Sequence, residues 1–199
     1  MVEEGEQTLV IDPGVFVKSL PDLTNVAAIV VTHVHQDHFN PELIQDIRKN
    51  NPKAIVISTA ETIKELGEEN TKVVSGGDSV QIGQLHLEFF GDEHATIHPS
   101  YPRSQNIGVL VNETFYYPGD SFVQPGKNIK ILAVPVYAPW MKMSEAMDFS
   151  ADIKPKQAFP THNAFLSDAG NDLTDRLMSF TESVGTKFIH LEPGESLEV

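Results

Sequence analysis

The chain has 199 residues, with 28 acidic against 14 basic side chains, eight histidines, no cysteine and a formal net charge of −14. Without thiols there is no disulfide framework, thiolate zinc site, iron–sulfur site or cysteine nucleophile. No apolar run reaches the roughly 18–20 residues of a membrane span, and surplus negative charge repels phosphate backbones, so no membrane or nucleic-acid partner is expected.

The length suits one compact domain over residues 1–199. The acidic start carries no leader-like apolar stretch, which points to a cytoplasmic enzyme or binding protein. In chain order, Thr8 to Ile11 reads as a short strand stopped by the Asp12-Pro13-Gly14 turn. Ala27 to Thr32 is a near-continuous apolar strand of the kind buried on both faces. Asn40 then caps a helix from Pro41 to about Asn50. Ala54 to Ser58 is a second buried strand, and Ala60 to Gly67 a short helix closed by glycine.

Further along, Leu85, Leu87 and Phe89 alternate with His86 and Glu88, predicting a strand with one buried face. Ile107 to Val111 and Thr114 to Tyr117 form a hairpin turned near Asn112-Glu113. Ile131 to Val136 is another buried strand, Ser144 caps a helix to about Asp152, and Ala158 to Thr161 is a short strand. Leu173, Leu177, Phe180 and Val184 share one helical face ended by Gly185, and Phe188 to Leu191 is the last strand. Mixed strands and interspersed helices indicate a layered α/β or α+β domain.

The sharpest feature is Thr32-His33-Val34-His35-Gln36-Asp37-His38 at the end of a strand. Alternation puts the imidazoles of a strand-terminal His-x-His on one side, and Asp37 and His38 fall in the loop leading to the next helix. Imidazole and carboxylate are donors that zinc, iron and manganese accept. Four such residues in six positions can hold two ions, His33 with His35 and Asp37 with His38. Two later strands end in similar chemistry: Gly119-Asp120, whose carboxylate can bridge two cations, and Thr161-His162. Between the histidine loop and Gly119, His94 and His98 both follow a strand; His94 lies nearer its end, leaving His98 as a supporting or substrate contact. His86 and His190 read as surface or structural.

In this order, the Asp-Pro-Gly turn, THVHQDH, a histidine near 94, Gly-Asp and Thr-His resemble the metallo-β-lactamase superfamily over most of the chain. The run Pro135-Val136-Tyr137-Ala138-Pro139-Trp140 is similar to a stretch of the L-ascorbate-6-phosphate lactonase-like and phospholipase-D-like branch. The resemblance implies an α+β fold, a four-layer αββα sandwich with a shortened N-terminal strand region. It implies a metal-dependent hydrolase with two divalent ions, zinc first and manganese or iron as alternatives. His33, His35 and His94 would hold one ion, Asp37, His38 and His162 the other, with Asp120 between them. A bridging hydroxide, oriented by the catalytic Asp37, would attack an ester, lactone or phosphodiester-type small molecule.

Asp12 is a candidate acceptor for a ligand imidazole N–H. Arg103 and Lys142 are candidate partners for an anionic substrate, and Trp140, like Tyr101, a candidate wall of the site mouth. Two features depart from the family pattern. Only eleven residues precede Asp12, so the first sheet's edge is short or absent and could pair with a second copy in a homo-oligomer. There is also no cysteine where some true β-lactamases carry a zinc thiolate, which disfavours antibiotic hydrolysis. The rival readings are a non-catalytic metal-binding descendant of the fold, a thioesterase and a nuclease.

Overall fold

The computed structural model describes residues 1–17, 23–67 and 69–198. Strand β3 (Val26–Val31) explains its own composition: Ala28 and Val30 point into one core, while Ile29 and Val31 point into another. A strand covered on both faces has no polar side to show. With β1 (Val2–Glu4), β2 (Gln7–Ile11), β4 (Ile55–Ser58) and β5 (Thr71–Val73) it forms a sheet in the order β1-β2-β3-β4-β5. That sheet is parallel from β2 to β5, with β1 antiparallel on its edge.

The second sheet contains β6 (Ser79–Ile82), β7 (Leu85–Phe90), β8 (Gly108–Val111) and β9 (Phe115–Tyr117) as antiparallel neighbours. It continues through β10 (Ile131–Pro135), β11 (Gln157–Thr161) and β12 (Lys187–Phe188), each parallel to the one before. Asn112 and Glu113 both take positive φ, which matches the twist of the tight β8–β9 hairpin. Leu85, Leu87 and Phe89 meet Leu9, Ala28, Val30 and Ile57 between the sheets. Each such side chain, buried fully, contributes roughly 1.5–3 kcal/mol.

Helices cover the outer faces. Helix α1 (Pro41–Asn50) starts where Asn40 accepts from the Glu42 and Leu43 amides, and it buries Ile44 and Ile47. Helix α2 (Ala60–Leu66) ends at Gly67, whose φ of 64° suits glycine. Both pack on Val10, Ile29, Val31 and Val56. On the far side, Ala146 and Phe149 of α3 (Met143–Ile153) and Met178 of α4 (Asp168–Met178) pack on Leu110, Leu132, Val134 and Ala158. The result is the expected αββα sandwich. Among the described residues no helix is long and apolar enough to cross a membrane.

The first eleven residues supply a short edge hairpin, β1–β2, the shortened edge that was expected. Three expectations need correction. Helix α3 begins one residue before Ser144: the Lys142 amide donates to the Glu145 carboxylate at 2.6 Å, so the acid three residues on closes the first turn. The last strand is Lys187–Phe188 only. Finally, Leu173, Leu177, Phe180 and Val184 face outward at 37–46% exposure, while Thr174, Met178 and Thr181 face the core. The four still share one face, but the inward face lies one position further on, both in the α-helix and in the 3₁₀ turn over Ser179–Val184 that follows Met178.

Candidate metal centre

The chemistry gathers where β3, β9 and β11 reach their carboxyl ends, the rim at which sites collect in parallel sheets. Because β2 and β3 are parallel neighbours in register at Ile11 and Val30, Asp12 arrives beside Thr32. Its Oδ1 accepts from the Thr32 amide at 2.7 Å, and its Oδ2 from the Thr32 hydroxyl at 2.7 Å. The same Oδ2 lies 2.6 Å from Nδ1 of His38. One carboxylate thus fixes both ends of the histidine loop.

Gly14 lets the two loops meet. A Cβ there would stand 1.7 Å from the Asp37 carbonyl oxygen and 2.7 Å from the His38 amide nitrogen, both backbone atoms with no rotamer to yield. The Gly14→Ala variant should therefore lose about 1–3 kcal/mol of stability by overpacking, and its zinc uptake should weaken. Thermal melting and a zinc titration check this; a wild-type melting curve with unchanged uptake would contradict it.

His33 and His38 are buried, at 0% and 3% exposure, and His94 likewise at 3%. Three rings share a device. Nδ1 of His38 faces Asp12, Nδ1 of His94 faces the Ala95 carbonyl at 2.5 Å, and Nδ1 of His162 faces the Tyr137 carbonyl at 2.5 Å. Those oxygens only accept, so each Nδ1 carries a proton, which leaves Nε2 as the ring atom that can ligate a cation. A carboxylate or carbonyl behind the ring is the usual support of a ligating histidine. Nδ1 of His33 similarly meets the Thr32 hydroxyl at 3.1 Å.

Asp120 stands at the middle. Its Oδ1 is 3.2 Å from Nε2 of His38, and its Oδ2 is 3.3 Å from Nε2 of both His94 and His162. Asp37 Oδ2 lies 3.2 Å from His162 Nε2. Donor atoms fall within 4.8 Å of one another in three groups: His33, His35 and His94; Asp37, His38 and His162; and His33, His38 and Asp120. Nε2 of His38, His94 and His162 are thus buried against the oxygens of Asp120, and imidazole nitrogens converging on carboxylates in this way form a donor set that fits divalent cations.

The titration preferences agree with that fit. Burial pushes the His33 ring well below its ordinary value, and the neighbouring His38 adds to this, keeping His33 neutral. Burial alone would raise the Asp120 carboxyl, yet its contacts with His162, His38 and His94 hold it well below the usual carboxylate range. Asp37 is also lowered, its burial outweighed by His162 and His38. Burial opposes charge on His38 and His162, but Asp12 raises the former well above its ordinary value, and Asp120 and Asp37 push the latter to about 10. Carboxylates that favour a proton on these rings equally favour a cation in its place.

The remaining expected residues lie elsewhere. His98 is exposed, bonded to the Ser100 hydroxyl at 2.7 Å, and joins none of the three donor groups. Arg103 pairs with Glu93 at the surface. Lys142 caps α3 through its backbone. Trp140 is more than a wall: its indole N–H donates to Asp120 Oδ2 at 2.8 Å.

Three supporting residues escaped the sequence reading. Asn106, fully buried, accepts from the Asp120 amide at 2.9 Å and donates to the Pro118 carbonyl at 3.0 Å, holding the Gly119-Asp120 turn. The Ser104 hydroxyl lies 3.2 Å from His35 Nε2, and the Tyr117 hydroxyl 3.4 Å from His38 Nδ1. The available signal was Asn106 itself, a lone amide opening an apolar strand.

Beside Asp37, His38 and His162 a cavity of about 300 Å³ opens between the sheets. It is lined by Ile11, Phe16, Phe115, Phe159 and Phe165, with no lysine or arginine among the described residues.

Comparison with known proteins places this arrangement among relatives. The profile of the beta-lactamase superfamily domain matches residues 1–162. Protein Rv0786c of Mycobacterium tuberculosis is 34% identical over 187 residues, covering 91% of this chain and 88% of that protein. The UPF0173 metal-dependent hydrolase NEQ378 of Nanoarchaeum equitans is 28% identical over 173 residues, covering 80% of this chain and 77% of that protein. The solved structure of Igni18, a metallo hydrolase from Ignicoccus hospitalis, superposes with a TM-score of 0.73 at 16% identity. It covers 98% of this chain and 91% of its own.

Proposed function

The chain belongs to the beta-lactamase superfamily, and from that premise we propose that it is a dinuclear metal-dependent hydrolase of small esters, lactones or phosphodiesters. The observation that carries this reading is the buried convergence of the His38, His94 and His162 Nε2 atoms on Asp120, within the three donor groups. His33, His35 and His94 would hold one ion and Asp37, His38 and His162 the other, with Asp120 reaching both. Zinc is the first candidate, and manganese or iron suit the same nitrogen and oxygen donors. When bound, the ions supply Lewis acidity and bring water within reach of deprotonation near neutral pH.

The protein's own groups do the rest. Asp37 is ionised and only accepts, so it takes a hydrogen bond from the attacking water and aims its oxygen. In ester or lactone hydrolysis that oxygen bonds to the acyl carbon, the bond to the leaving oxygen breaks, and the leaving oxygen takes the proton. Trp140 and Asn106 hold Asp120 by its side chain and its amide, which keeps the donors preorganised. The Pro135 to Trp140 likeness to the lactonase-like branch makes lactones the first substrates to screen. The 28% identical relative named as a metal-dependent hydrolase supports the same reaction class.

A screen of lactones, carboxylic esters and phosphodiesters with zinc- or manganese-loaded protein should find turnover. Asp37→Ala should lower it at least about a hundredfold with the melting curve kept. Full turnover by chelator-treated, metal-free protein would defeat the proposal.

A further inference from the structure

The cavity beside Asp37 and His162 has a marked chemical bias. Phe115 of β9 and Phe159 of β11 lie parallel, with ring centroids 6.2 Å apart, and both pack against the core between the sheets. Phe16, just after the Asp-Pro-Gly turn, and Phe165, between β11 and α4, meet edge to face at 4.9 Å. These two rings are 46% and 62% exposed, although each is large and apolar. An exposed aromatic pair beside a concave apolar surface is the usual signature of a ligand site.

Its polar lining comes from Asp12, Asp37, His38, Tyr117, Thr161, His162 and Asn163. The described lining offers no lysine or arginine. Arg103 and Lys142 do not line this cavity, and the chain as a whole carries a net charge of −14. A phosphate or carboxylate arm would therefore be desolvated against phenyl rings without a partner.

From these observations, and resting on the hydrolase reading above, we infer that the cavity is the acyl-arm pocket of the site. It takes the uncharged, apolar or aromatic part of a carboxylic ester or lactone. A volume of about 300 Å³ is at the small end for ligand pockets, room for a single ring or a short chain. The reacting carbonyl then lies at the Asp37 and His162 end, with Phe16 and Phe165 closing over the arm.

The test uses metal-loaded full-length protein and separates binding from turnover. Calorimetric titration with butyrophenone, a neutral aryl ketone, should show binding. Phe16→Ala and Phe165→Ala change exposed side chains, so the fold should persist, and each should weaken butyrophenone about fivefold to tenfold. From phenyl acetate to phenyl hexanoate, kcat/KM should rise about threefold to fourfold per methylene. Butyrophenone binding that ignores both substitutions, or no butyrophenone binding at all, overturns the pocket. Ester turnover indifferent to chain length overturns it too, while leaving the hydrolase reading intact. Binding as described with no ester turned over supports the pocket and defeats the hydrolase reading instead.

Discussion

Replacing Asp120 with alanine should abolish stable metal binding at both positions and lower turnover by roughly a thousandfold or more. Asp120 is the one side chain whose two oxygens approach three ring nitrogens at 3.2–3.3 Å, those of His38, His94 and His162. Its removal takes the negative charge away from between the two proposed ions, which then repel without compensation. It also strands the Trp140 indole N–H, whose acceptor is Asp120. The conservative Asp120→Asn variant keeps the shape and one acceptor oxygen, so it should retain partial metal content with low activity. Elemental analysis alongside turnover distinguishes the cases. Two retained equivalents in Asp120→Ala would mean that the histidines bind independently of it.

Asp12→Ala should weaken metal affinity about tenfold to a hundredfold and cost about 2–4 kcal/mol of stability, although Asp12 need touch no ion. Its carboxylate receives the Thr32 amide, the Thr32 hydroxyl and His38 Nδ1, at 2.7, 2.7 and 2.6 Å. Losing it leaves a buried amide unpaired at the start of the histidine loop and frees the His38 ring to turn or change tautomer. Because Thr32 in turn supports His33, the effect should reach both triads. Asp12→Asn should recover most of the stability, since an amide oxygen can still accept from Thr32. It should recover less of the affinity, since the amide NH2 then replaces the oxygen that faced the His38 N–H, and a donor meets a donor. Urea unfolding of the metal-free protein isolates the stability term. Equal zinc affinity in all three proteins would remove Asp12 from the site's support.

The residues that carry strong local chemistry were legible in the sequence. His33, His35, Asp37 and His38 sit close together because one loop holds them, and Asn40-Pro41 fixes where that loop ends. Apolar runs such as Ala27 to Val31 announced strands covered on both faces, and those strands placed the loop at a sheet's carboxyl rim. Distant partners were harder to read. Nothing local ties Asn106 to Asp120, fourteen positions away; only the pairing of β8 with β9 brings them together. Trp140 read as an apolar wall because its single N–H shows its use only when an acceptor is in place.

Periodicity gave a shared face without saying which way it turns. Leu173, Leu177, Phe180 and Val184 do share a face, but it points outward, and the smaller or more flexible Thr174, Met178 and Thr181 take the inward positions. The phenylalanine cavity was invisible for a different reason. Phe16, Phe115, Phe159 and Phe165 come from four separate segments and converge only through the packing of the two sheets.

Metal content per chain, by elemental analysis of untagged protein purified without added metal and again after reconstitution, tests the central claim most directly. The two triads around Asp120 predict about two equivalents of zinc, manganese or iron, falling to near zero in Asp120→Ala. No metal on purification and no uptake on reconstitution would mean that these donors do not bind cations, and the hydrolase proposal would fall with them.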